Sequence, residues 1–160
     1  MATTVAKQIK QTRPFTSPEQ EALLGLRMAA ARLLAPWVQF LKTEAALSTS
    51  QYNVLRILRG SHASGLTCGE IGERTVARDP DVTRLVDRLG KRGLVKRTRS
   101  QTDRRVVQVD ITQKGLDLLR ELDPHAQRMP RALLGHVSHA RLRHLSRLVS
   151  EVLEGMGTYP

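Results

Sequence analysis

The chain has 160 residues, 40% of them hydrophobic and 26% charged, with 26 Lys and Arg against 15 Asp and Glu and a formal net charge of +11. Apolar residues recur at regular spacing through most of the chain, which supports one buried core and excludes a disordered basic tail. The most apolar stretch, Leu23 to Leu41, is broken by Arg27 and Arg32, short of the about 20 nearly uninterrupted apolar residues a membrane span needs, so the positive surplus points to a polyanionic partner.

Residues 1–16 carry Lys7, Lys10 and Arg13 with little apolar pattern and read as a flexible N-terminal arm. The start lacks a charged n-region followed by an apolar core, and the lone Cys68 cannot form an internal disulfide; both fit a cytoplasmic protein. Ser17-Pro18-Glu19-Gln20 then opens a helix: Ser17 caps, Pro18 suits the first helical position and Gln20 closes a capping box. Leu23, Leu26, Ala30, Leu33, Trp37 and Leu41 follow at helical spacing and predict one long helix over 17–46, which Pro36 should kink or split.

A second helix starts at Ser48, with Gln51 three residues on, buries Tyr52, Leu55 and Leu58, and ends at Gly60. Thr67-Cys68-Gly69-Glu70 is another capping box, heading a short helix that carries Ile71 and ends near Thr75. Asp79-Pro80 opens the next helix, capped by Asp79, with Val82, Leu85, Val86 and Leu89 as its buried stripe and Gly93 as its C-terminal cap. The period then changes: Leu94–Thr98 and Val106–Ile111 are rich in β-branched residues and partly alternate, with the polar turn Arg99–Arg105 between them, so a β-hairpin with a basic tip is predicted. Thr112 caps a helix carrying Leu116, Leu119 and Leu122, whose end Pro124 and Pro130 leave open, and a last helix from Ser138 to Gly155 carries Leu142, Leu145, Leu148, Val149 and Val152.

A short helix, a tight turn, a second helix and a basic hairpin is the order of a winged helix-turn-helix. A helix is narrow enough to enter the DNA major groove, where every base pair shows a distinct donor and acceptor pattern. The preceding helix braces it, and the hairpin reaches phosphates or the minor groove. With Val82, Leu85, Val86 and Leu89 turned inward, Asp81, Arg84, Arg88 and Lys91 fall on the outer side, flanked by Thr83. Charge is concentrated there as well. Arg74 to Arg105 holds eleven basic and four acidic residues, a surplus of +7 in one fifth of the chain.

Three stretches closely resemble the MarR family of bacterial transcription regulators: Asp81-Val82-Thr83-Arg84-Leu85-Val86-Asp87-Arg88-Leu89, Arg92-Gly93-Leu94-Val95-Lys96-Arg97, and the run Asp103-Arg104-Arg105 through Gly115. The resemblance is strong over residues 48–120 and rests on helix layout alone at both ends. It implies a mainly α fold with a small β-hairpin wing, a single domain over 17–160, dimerisation helices at 17–46 and 113–160, and a DNA-binding region at 48–112. It also implies a homodimer whose recognition helices enter successive major grooves of a pseudo-palindromic operator in double-stranded DNA. Arg105 would be the arginine the wing places in the minor groove, steered by Asp103, and Thr83 and Arg84 match recognition-helix positions. Arg78, Asp81, Arg88, Lys91, Arg99 and Arg104 complete the expected DNA-facing set. Arg78-Asp79-Pro80-Asp81 departs from the small hydroxyl residues of commoner relatives, and leaves Asp81 either accepting from cytosine N4 or stabilising its helix start. Family members act mostly as repressors released by a small lipophilic or phenolic effector, for which Trp37, Phe40, Leu41 and Tyr52 are the candidate lining; an apolar stripe is otherwise plain core.

Other readings keep part of this picture. A nonspecific nucleic-acid or nucleoid-associated protein would use the same basic patch without sequence choice. A redox-switched regulator would use Cys68 at a helix start, against its reading as an ordinary buried thiol. A metal-switched one would use His136, His139 and His144, with His125 upstream, yet no Cys, Asp or Glu closely accompanies His136 and His139 and structural zinc usually takes four ligands, so neither metal nor cofactor is expected. Arg128, Arg131, Arg141, Arg143 and Arg147, in a stretch without acids, would pair across the dimer with Glu19, Glu21 and Glu44. The chain has no phosphate-cradling glycine loop, no His-Glu-x-x-His and no nucleophile elbow, and is not read as an enzyme.

Overall fold

Capping chemistry sets where most of the helices begin. In the computed structural model, which describes residues 4–61, 65–75, 81–99 and 106–156, the elements are α1 (Thr4–Gln8), α2 (Pro18–Ala45), α3 (Thr49–Gly60), α4 (Cys68–Glu73), α5 (Val82–Lys91), β1 (Val95–Arg99), β2 (Val107–Ile111), α6 (Gln113–Leu134) and α7 (His139–Gly155). Ser48 and Gln51 close a full capping box at α3, and Thr67 and Glu70 close one at α4. The Thr67 backbone N–H, and then its hydroxyl, donate to the Glu70 carboxylate at 2.8 Å each and hold that carboxyl below its ordinary pKa. At α2, Ser17 accepts from the Gln20 N–H as expected, but the Gln20 side chain reaches back to Thr16 rather than to Ser17.

The chain divides into two compact units, Met1–Leu119 and Arg120–Pro160, with the division inside α6. In the first, α3 lies against α2, α4, α5 and β2, while α5 also meets α4 and β1. Val54, Leu55, Ile71, Leu89 and Val109 are fully buried there, and each such side chain contributes about 1.5–3 kcal/mol through the water it leaves. β1 and β2 pair antiparallel, from Val95 opposite Ile111 to Arg99 opposite Val107. Leu66 adds a third extended partner that the sequence pattern did not announce, exchanging backbone bonds of 3.0 and 2.8 Å with Val109. Gly65 makes that approach feasible, since it has φ +65° and a Cβ there would lie 2.8 Å from Asp110 Oδ1.

Three further features add to the spacing argument. Residues 4–8, within the stretch read as an arm, form α1, with Ala6 buried and the Gln8 side chain accepting from Arg32 Nη1 at 2.6 Å. Five residues are too few to show a period, and a helix that short needs packing to persist. α2 runs unsplit through Pro36, and α6 runs through Pro124 and Pro130. Each proline removes one N–H from a helix of 28 or 22 residues, at positions where all three prolines face solvent. In the second unit, α7 buries none of its residues, and Leu145, Leu148, Val149, Val152 and Leu153 stay exposed along it.

Candidate nucleic-acid interface

α5 is built with two faces. Val82, Leu85, Val86 and Leu89 are buried as the spacing predicts, and Thr83, Arg84, Asp87, Arg88 and Lys91 are exposed on the outer side. Its cap is Asp81, whose carboxylate accepts the Arg84 N–H at 3.2 Å and pairs with Arg84 Nε at 3.0 Å. This corrects the assignment of the cap to Asp79, a residue outside the described ones, and gives Asp81 the helix-stabilising role of the two weighed above. Asp81→Ala should therefore lower stability by about 1 kcal/mol and Asp81→Asn, still a good cap, by clearly less; urea denaturation of the two variants checks this.

β1 exposes Lys96, Arg97, Thr98 and Arg99 in succession after the buried Val95. A strand covered on one face would alternate, so β1 stands exposed on both faces beyond its first residue, while β2 is held to the core through the buried Val109. Arg97 reaches from the wing to the recognition helix: its Nη1 lies 2.8 Å from Asp87 Oδ1, and its Nη2 donates to the Thr83 carbonyl at 3.4 Å. A cleft of about 410 Å³ lies between the two elements, floored by Val86 and Val95 and rimmed by Asp87, Lys91 and Arg97. Neither Asp87 nor Arg97 stands in the residue set chosen from sequence. Their spacing of ten carries no helical signal, because the residues sit on different elements.

The local charge is thus less available than its sum suggests. Arg84 and Arg97 are each paired with an acid, and Arg92 turns inward to backbone carbonyls of Ala45 and Ala46. Arg88, Lys91, Lys96 and Arg99 remain exposed on the same two elements. Of the other expected DNA-facing residues, Arg78, Asp103, Arg104 and Arg105 lie outside the described residues.

Three of the four candidate effector residues form an aromatic group. Trp37 stacks on Phe40 with ring centroids 5.4 Å apart and meets the edge of Tyr52 at 4.8 Å, while Leu41 is fully buried. A larger cleft, of about 660 Å³, involves none of them and is lined by Ala6, residues 11–18 and Glu21. Cys68 is half-buried in the first turn of α4. His136 sits in the turn before α7 and His139 in its first turn, so the two do not share a helix face. Among the described residues no group of His, Cys, Asp and Glu is placed to hold a metal ion, and no helix is long and apolar enough to cross a membrane.

Comparison with known proteins agrees with this geometry. Residues 47–106 match the MarR family model. The crystal structure of a MarR transcription factor from Planctomyces limnophilus is 40% identical, covering 86% of this chain and 98% of that one with a TM-score of 0.64. Sco3205 of Streptomyces coelicolor, a MarR family regulator solved in complex with DNA, is 23% identical and shares the fold at a TM-score of 0.77 over 91% of this chain and 92% of its own. BpsR of Bordetella bronchiseptica, whose DNA binding is regulated by 6-hydroxynicotinic acid, is 25% identical with a TM-score of 0.68 over 79% of this chain and 94% of its own. With a two-faced helix beside an exposed basic strand of a hairpin, and 40% identity over nearly the full length of a MarR transcription factor, this chain belongs to the MarR family of winged helix-turn-helix, DNA-binding transcriptional regulators and is not an enzyme.

Proposed function

We propose that the protein is a homodimeric repressor that binds a pseudo-palindromic operator and is released by a small lipophilic or phenolic effector. The observation that carries the reading is the placement of Arg88 and Lys91 on α5 beside Lys96 and Arg99 on the wing, all exposed. Such a pair of elements can follow a duplex from major groove to adjacent minor groove. α5 enters the major groove, with Thr83 and Arg84 nearest the bases. Arg105, in the polar segment of sequence between β1 and β2, would reach the minor groove. The similarly folded Sco3205 is solved in complex with DNA, which supports DNA as the partner.

Dimerisation is supported by apolar side chains left on the flanking helices, such as Leu23 on α2, 62% exposed, and Leu153 on α7, 64% exposed. Several large apolar side chains left exposed along one helix, as on α7, fit an interface. Two-fold symmetry then demands half-sites about 34–36 Å apart. The effector reading rests on the aromatic group of Trp37, Phe40 and Tyr52 near the C-terminal half of α2, and on the ligand control of DNA binding in BpsR.

Competition binding tests the proposal. The protein should prefer DNA from its own promoter over random duplex by roughly a thousandfold or more. Equal affinity for both would replace this reading with a nonspecific nucleic-acid-binding one.

A further inference from the structure

The end of α2 is closed by a residue from the recognition helix. Ala46 takes a left-handed conformation with φ 48°, and its N–H and that of Leu47 return to the Lys42 and Leu41 carbonyls at 3.2 and 3.1 Å. The carbonyls of Ala45 and Ala46 accept from Arg92 Nη2 at 2.7 Å and Nη1 at 3.0 Å. Arg92 is the C-cap of α5, so one guanidinium spans the ends of two helices. Its own carbonyl accepts from Lys114 Nζ at 3.0 Å, at the start of α6, and the Gly93 carbonyl accepts from the Thr112 hydroxyl at 2.7 Å.

A cation at a helix C-terminus meets the partial negative charge of the last carbonyls. The planar guanidinium presents two N–H groups at a fixed separation, which a lysine ammonium does not reproduce. Rotation or translation of α5 against α2 must break both bonds.

We infer that Arg92 is a positioning residue, a strut that fixes the recognition helix to α2 and so sets its placement relative to the partner's recognition helix. The inference rests on the operator-binding dimer proposed above. Arg92 acts without touching DNA, although it lies within the basic stretch that sequence assigns to the interface.

The test uses a duplex selected by the wild-type protein from a random-sequence pool, the same duplex with one base pair inserted at its centre, and an unselected duplex. Arg92→Lys keeps the charge and loses the fork; Arg92→Gln keeps a planar donor and loses the charge, and stands in if the lysine variant unfolds in urea too readily. Arg92→Lys should bind the selected duplex about tenfold more weakly, bind the unselected duplex as wild type does, and lose discrimination against the inserted base pair. Hydrogen exchange at the Leu41–Leu47 amides should quicken by a similar factor. Equal weakening on selected and unselected DNA would make Arg92 a phosphate contact, and intact spacing discrimination would show that it positions nothing. If the wild-type protein selects no sequence, the operator reading fails, and exchange at Leu41–Leu47 alone decides the strut: unchanged rates overturn it.

Discussion

Gly115→Ala is expected to lower the stability of the protein by about 1–3 kcal/mol, the range for forcing a group into a filled core, even though alanine gains about 1 kcal/mol of helix propensity over glycine. Gly115 lies in the first turn of α6, where its N–H donates to the Thr112 hydroxyl at 3.2 Å. A Cβ there would collide with the Leu94 carbonyl oxygen and would lie 2.7 Å from Ile111 Cγ1. The carbonyl is backbone and already accepts the Thr112 N–H at 3.1 Å, so it cannot swing aside as a flexible side chain would. Gly115→Val should cost more than the alanine, and denaturant midpoints at constant slope measure both. A net gain in stability for Gly115→Ala would mean that α6 stands further from β1 than described.

Arg105→Ala is expected to weaken binding to a selected operator by about 1–3 kcal/mol, the cost of one lost specific contact. Asp103-Arg104-Arg105 lies in the polar segment between the basic strand β1 and β2. An arginine there meets the minor groove, whose negative potential favours a guanidinium, and Asp103 can orient it through a charge-assisted bond. Titrations at fixed salt measure the loss, and repeating them across salt concentrations separates contact types. A lost phosphate contact reduces the salt slope by about one and weakens all sequences alike; a lost groove contact weakens the operator more than random DNA. Unchanged operator affinity would remove Arg105 from the interface and leave the exposed Lys96 and Arg99 as the cations of the described part of the wing.

Both predictions bear on how the fold is encoded. The capping boxes at Ser48 and Thr67, the buried stripe of α5 and the left-handed Gly93, at φ +69°, just past its C-cap, were legible because each signal is local and spans four residues or a few helical turns. The cap of α5 was misplaced by two residues because Asp79 and Asp81 flank Pro80 and either fits the local rule. Leu66 against Val109 was invisible for the opposite reason: one residue pairing across more than forty positions leaves no periodic trace.

The opening surplus of +11 shows where sequence stops. Composition and clustering by themselves determined that this chain carries a basic, two-faced helix followed by a basic hairpin, because charge and hydrophobic period are properties of neighbouring residues. Only the tertiary structure decided what each cation does. Arg84 is held by its own helix cap, Arg97 ties the wing to the recognition helix, and Arg92 points away to close α2. Those assignments depend on distances between elements, and a guanidinium's partner within 3 Å is set by how helices pack rather than by what precedes it in the chain.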